Sequence, residues 1–282
     1  MSDRRERPWV LITGCSTGIG RELAACCRGT GWGVVATARS LASLEGLAPG
    51  PDLRCLELDV TRPESIAAAA EACAGLRLTA LVNNAGYAQA GPLEYLEPGE
   101  LRAQLETNVV GLHAVTRAFL PLIRRGAGPG EGRIVHVASV LGRMSIPLAG
   151  AYCASKHAVV ALGETLRLEV EPEVRVILVE PGAIRTDFRA NLVKALGALP
   201  ERIRGTRFEA ALARYLARRQ SGGGQGHGLS AQACARRIAA AMARQRPPRR
   251  VVIGPDAFWA NVAKAILPGR LWDWAVRRSA KI

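Results

Sequence analysis

Short runs of apolar, β-favouring residues alternate with Ala- and Leu-rich stretches of helical length along most of this 282-residue chain, and that alternation leaves few folds open. Runs at 10–13, 33–38, 53–58, 80–83, 133–138, 174–180 and 250–253 read as strands, and helices are expected near 20–29, 63–74, 99–125, 151–170 and 230–244. The strand candidates are apolar at successive rather than alternate positions, so both faces of their sheet must be covered. A parallel sheet with helices on either side satisfies that pattern. The expectation is one α/β domain over 1–254, doubly wound around a mostly seven-stranded parallel sheet, with no room for a second core. Two segments break the rhythm. An Arg-rich helical insertion at 188–219 runs into a glycine tract at 221–228 that reads as a mobile loop, and together they suggest a lid over about 187–229. A C-terminal extension follows at 255–282.

The turn after the first strand is Thr13-Gly-Cys-Ser-Thr-Gly-Ile-Gly20. Gly14, Gly18 and Gly20 permit a tight turn and let backbone N–H groups approach a pyrophosphate, while the following helix offers its positive N-terminal end. The spacing differs from the common G-x-G-x-x-G, so the strand-to-helix context carries the assignment. At the end of the second strand an acid would bind the ribose 2′-hydroxyl of NAD, and an Arg would accommodate the 2′-phosphate of NADP. Here Ala38 stands in place of the acid and Arg39 follows it, which favours NADP(H). Asp59 ends the third strand as an adenine contact, and Asn83-Asn-Ala-Gly86 ends the fourth with small residues beside the cofactor.

Tyr152 and Lys156 are four residues apart in a helical segment, so they share a face. A fixed ammonium next to a phenol favours the phenolate, which makes a proton donor suited to neutral pH. Only four of the 38 basic residues are lysines, so a Lys here points to a need for a compact ammonium rather than a planar guanidinium.

Taken in order, Thr13–Gly20, Asp59, Asn83–Gly86, Asn108, Ser139, Tyr152-x-x-x-Lys156, Pro181-Gly182 and Thr186 resemble the short-chain dehydrogenase/reductase family over residues 9 to about 190, and more loosely to 254. Gly14–Gly18, Ala36–Arg39 and the C-terminal extension are most similar to its hydroxysteroid and retinol dehydrogenase branch. The resemblance implies a Rossmann-type fold and a catalytic set of Asn108, Ser139, Tyr152 and Lys156. Tyr152 would exchange a proton with the carbonyl or alcohol oxygen, Ser139 would hydrogen-bond that oxygen, Lys156 would bind the nicotinamide ribose, and Asn108 would hold a water linking Lys156 to solvent. It also implies cofactor contacts from Gly14, Ser16, Thr17, Gly18, Ile19, Gly20, Arg39, Ser40, Asp59, Val60, Asn84, Ala85, Gly86, Tyr152, Lys156, Pro181, Gly182, Ile184 and Thr186. Relatives often form homodimers or homotetramers through helices near 99–125 and 151–170.

The substrate pocket is expected from the segment after Ser139 and the start of the insertion. Leu141, Met144, Leu148 and Phe188, with Ser139 and Tyr152, suit a lipophilic alcohol or carbonyl such as a steroid, retinoid or fatty aldehyde. A sensor that binds NADP(H) with little turnover is the alternative, although it would have no need for Ser139, Tyr152 and Lys156 together. Seven cysteines without a C-x-x-C and four scattered histidines argue against disulfides and metal, and suggest a reducing, cytoplasmic setting. No apolar run reaches the ~20 residues of a membrane span. The positive charge is one-sided: residues 1–184 carry 18 basic and 19 acidic side chains, and residues 185–282 carry 20 and 5. No nucleic-acid motif accompanies it. Trp259, Trp272 and Trp274 among basic residues of 258–282 instead suggest peripheral contact with a membrane.

Overall fold

A seven-stranded parallel sheet organises the chain in a computed structural model that describes residues 7–47, 50–186, 188–220 and 228–280, with backbone alone at 188–190 and 218–220. Its strands are β1 (Trp9–Ile12), β2 (Gly33–Ala38), β3 (Leu53–Glu57), β4 (Leu78–Asn83), β5 (Gly132–Val137), β6 (Val174–Pro181) and β7 (Arg250–Ile253). They lie side by side in the order β3-β2-β1-β4-β5-β6-β7. The register is parallel throughout: Val10 lies opposite Val34 and Ala80, and Val135 opposite Val82 and Ile177. The chain steps outward from β1 to β3, then crosses back to begin β4 on the other side of β1. Such a reversal opens a crevice at the carboxyl ends of the two central strands.

The helices are α1 (Gly18–Arg28), α2 (Pro63–Ala72), α3 (Pro98–Leu105), α4 (Gly111–Gly126), α5 (Gly150–Val170), α6 (Phe188–Ala195), α7 (Leu199–Arg202), α8 (Arg207–Gln220), α9 (Ala231–Met242), α10 (Pro255–Ile266) and α11 (Gly269–Ala280). Side chains alternate across the sheet. Val10, Ile12, Val34, Val135 and Ile177 face α1 and α9, whereas Leu11, Val35, Leu81, Ile134 and Val176 face α2, α4 and α5. Strand residues buried on both faces explain the continuous apolar runs.

Two departures from the sequence reading matter for the site. The helix expected over 99–125 is interrupted by a π-helical turn, Glu106–Val110, between α3 and α4. The extra residue of such a turn re-aims its side chains, and here Asn108 is buried. The insertion after β6 begins and ends at a pair of short parallel strands, Ile184–Arg185 and Leu229–Ser230. Between them Leu192, Leu196, Leu199, Ile203 and Leu212 of α6 to α8 pack onto Ala88 and Ala90. The Arg202 guanidinium fastens this insertion by donating to both Glu100 carboxylate oxygens, at 2.7 and 2.6 Å, and to the Tyr95 carbonyl at 3.1 Å. The glycine tract called a mobile loop lies, over 221–227, outside the described residues.

Candidate active site

The crevice between β1 and β4 is a cleft of about 970 Å³. Its floor is the glycine turn. Gly14 has φ +73°, and a Cβ there would stand 2.9 Å from the Ala85 Cα; Gly18 has φ +62°. Gly14 therefore excludes ordinary side chains for conformation and for space, and Gly18 disfavours them for conformation. Thr13 braces this turn against the end of β4, its hydroxyl accepting from the amides of Asn84 and Ala85 at 3.0 Å each. The Asn84 side chain completes the lock by donating to the carbonyls of Thr13 and Gly14 at 2.9 and 3.0 Å. The chain thus meets the cleft with bare backbone and the N-terminus of α1, a cradle suited to a phosphate group. Across the cleft, the Asp256 carboxylate accepts from the Ala183 amide at 2.6 Å and holds the turn through Pro181 and Gly182.

Arg39 lies at the open edge of the cleft, exposed, while Ala38 beside it is buried. Asp59 faces the same edge, and its Oδ1 accepts from the Thr61 amide and hydroxyl at 3.0 and 2.8 Å. The residues fit a dinucleotide: a backbone cradle for the pyrophosphate, no carboxylate at the end of β2, and a free-standing guanidinium position next to it. Cys15, within the turn, is buried with its thiol pushed up to about 12 by desolvation, and it donates to the Ile12 carbonyl at 3.3 Å. It is a protonated packing group.

At the inner end, α5 brings Tyr152 and Lys156 into the cleft lining, and the turn after β5 adds Ser139 to it. Lys156 is buried, donates to the Val137 carbonyl at 2.7 Å, and lies with Nζ 5.7 Å from the centre of the Tyr152 ring. Burial lowers its pKa to about 8, so at pH 7 it is mainly an ammonium. Ser139 accepts from the Leu141 amide at 3.1 Å, which orients its hydroxyl. Behind this wall His136 is fully buried and pushed down to about 4, by burial first and by Lys156 second. Its Nδ1 lies 3.1 Å from Asn83 Nδ2.

Not every residue expected at the site reaches it. Asn108 sits one layer back: Nδ2 donates to the Tyr87 carbonyl and the Ser155 hydroxyl at 3.0 Å, and Oδ1 accepts from the Tyr87 amide at 3.1 Å. Gly20 packs the helix start, since a Cβ would fall 2.3 Å from the Gly14 carbonyl oxygen, and Ser40 is not part of the cleft lining. Met144 and Leu148 do not line it either. Met144 is buried with Leu141 and Cys153, and Leu148, at φ +63°, is buried with Phe208 and Ala211. The side chain of Phe188 lies outside the described residues. Ser16, Thr17, Ile19, Val60, Ile184, Thr186 and Leu141 do line the cleft.

The structure adds residues that the sequence did not suggest. Tyr87, Asn191, Lys194 and Tyr215 line the wall, and Ser279 and Ala280 reach it from the end of α11. Glu180 is wholly buried at the end of β6, and its Oε1 accepts from Arg143 at 3.0 Å and Arg250 at 2.7 Å. It ties the loop after Ser139 to β7, and burial raises its pKa. A lone carboxylate in an apolar strand gave only a faint sign of this. Among the described residues, no group of His, Cys, Asp and Glu is arranged to hold a metal.

A doubly wound sheet with a phosphate cradle at its switch point and a Tyr–Lys pair beside it defines a nucleotide-binding oxidoreductase. A family model described as short chain dehydrogenase matches residues 8–197, and the chain belongs to that family. It is 33% identical to the uncharacterized oxidoreductase YbbO of Escherichia coli (strain K12), over 94% of this chain and 92% of that one. It is also 41% identical to 17-beta-hydroxysteroid dehydrogenase type 1 of Mus musculus, over 68% of this chain and 59% of that protein. With retinol dehydrogenase 16 of Rattus norvegicus the identity is 38%, over 64% and 57% respectively. Among solved structures, a short chain dehydrogenase of Burkholderia cenocepacia in complex with NADP superposes with a TM-score of 0.73 at 26% identity, over 98% of both chains. One from Burkholderia phymatum in complex with NAD gives 0.78 at 26% identity, over 96% of both. The likeness to the hydroxysteroid and retinol dehydrogenases agrees with the branch suggested by the motifs.

Proposed function

We propose that the chain is an NADP(H)-dependent oxidoreductase that interconverts a lipophilic alcohol and its ketone or aldehyde. The observation that carries this reading is the convergence of Ser139, Tyr152 and Lys156 on one cleft next to the glycine cradle. Ser16, Thr17 and the turn around Gly14 and Gly18 would hold the pyrophosphate, Asp59 and Val60 the adenine side, and Pro181, Gly182 and Thr186 the nicotinamide side. The bound cofactor supplies or accepts the hydride. In the reductive direction Tyr152 gives a proton to the carbonyl oxygen as negative charge gathers there, and Ser139 donates a second hydrogen bond to it. The buried ammonium of Lys156 sits near the Tyr152 ring, where its charge favours the phenolate left behind. Asn108 reaches this wall through the Ser155 hydroxyl, which in turn donates to the Tyr152 carbonyl, and Glu180 ties Arg143, after Ser139, to Arg250 of β7.

NADP(H) is favoured over NAD(H) by Ala38 and Arg39, since both cofactors occur among similar structures and the family does not decide. Leu141, Ile146, Pro147 and Tyr215 give the substrate end an apolar lining, and similar proteins are named for steroids and retinol. The reading is tested by following NADPH and NADH oxidation with ketosteroids, retinal, medium-chain aldehydes and small diketones. Turnover with NADPH on the lipophilic compounds is expected. Reduction of small polar carbonyls alone would reject the substrate class, and tight NADPH binding without turnover on any compound would favour a sensor.

A further inference from the structure

The C-terminal hairpin has two unlike sides. Inward, Ala260 of α10 and Trp272 of α11 pack onto Val140, Ile146 and Tyr215, and Ser279 and Ala280 form part of the cleft wall. Outward, Phe258, Trp259, Ile266, Leu267, Leu271 and Trp274 are left in solvent, with Trp259 64% and Trp274 61% exposed. Six of the eleven large apolar side chains exposed among the described residues thus fall within 258–274, while the other five are scattered from Leu41 to Val193. A patch so concentrated marks a contact surface. Its cations are interleaved with its aromatics. The Arg278 guanidinium lies 5.6 Å from the outward Trp274 ring, the exposed Lys264 lies 5.3 Å from the ring of the inward-packed Trp272, and Arg270 and Arg277 of α11 are exposed. Indoles flanked by Lys and Arg match the boundary of a bilayer, where rings enter the acyl edge and cations meet the headgroups. A second copy of the chain would bring the same cations against themselves, in a region with 20 basic and 5 acidic residues.

We propose that the outer face of α10–α11 seats on an anionic lipid surface. Because the inner face of the same hairpin walls the cleft, seating would hold the cleft mouth near the bilayer. Vesicle binding does not depend on turnover, so its failure is distinguishable from failure of the enzymatic reading.

The experiment is flotation of the full chain with phosphatidylcholine vesicles, with and without phosphatidylglycerol, at low and high salt. Binding is expected to the phosphatidylglycerol vesicles, weakening with salt and accompanied by a blue shift of Trp emission. Trp259→Ser/Trp274→Ser should lose about tenfold or more in binding, and Arg270→Gln/Arg277→Gln/Arg278→Gln should lose the preference for anionic lipid. Both variants should melt as the parent does, since the replaced side chains are exposed. No flotation of the parent, or equal flotation of the tryptophan variant, would overturn the proposal. So would an oligomer that the tryptophan variant dissociates without any change in lipid binding.

Discussion

His136 offers a quantitative test of how the inner wall is built. Its imidazole is fully buried on β5 beside Asn83, and the combination of burial and Lys156 brings its pKa from 6.5 to about 4. That difference corresponds to about 3 kcal/mol between the protonation states. The sign follows from proton uptake. Between these two values the unfolded chain holds the proton and the folded chain does not, so stability rises with pH there. The contribution of the neutral ring is complete above 6.5, falls as pH drops through the window, and levels off below about 4. Urea unfolding from about pH 7 to about pH 4 should therefore show a steeper loss for the parent than for His136→Gln. Gln keeps an acceptor for Asn83 but does not titrate, so the gap between the two curves should close by about 3 kcal/mol. Some packing against Gly163 will be lost in the variant, which offsets the curves without changing their slopes. Parallel curves, or an NMR titration of the ring centred near 6.5, would refute this account.

Other consequences are equally direct. Gly20→Ala would force its Cβ against the Gly14 carbonyl, 2.3 Å away, so calorimetry should show a lower Tm and fluorescence titration a weaker affinity for NADPH. Arg39→Ser should raise the KM for NADPH by about ten- to a hundredfold and leave that for NADH nearly unchanged, as expected for loss of a charge-assisted bond. Lys156 should give NADPH binding a pH dependence. Its ammonium is present below about 8 and lost above it, so NADPH affinity should fall as pH rises through that value, and Lys156→Gln should remove the inflection.

Much of this molecule could be read from sequence because its strands are buried on both faces. Leu11, Leu81 and Ile134 have 0% exposure, and such strands must be apolar at every position. The glycine turn was legible for a similar reason: Gly14 meets both a conformational and a steric demand that other residues fail. The failures lie where tertiary packing decides. The π-helical turn leaves the apolar periodicity of 99–125 almost intact, so the aim of Asn108 was hidden. Met144 and Leu148 are as apolar as Leu141, but only the backbone course, including φ +63° at Leu148, determines which side chain meets the cleft. The part played by α11 is a similar case. Trp272 and Trp274 are near neighbours in sequence, and the helix sends one inward and the other out.

The central claim is that Tyr152 moves the proton, and the most direct test is Tyr152→Phe measured two ways. NADPH binding should be retained, and turnover of the best carbonyl substrate should fall by about 10²–10⁴, the usual contribution of general acid catalysis. Turnover within a few-fold of the parent, with binding equally intact, would contradict the assignment.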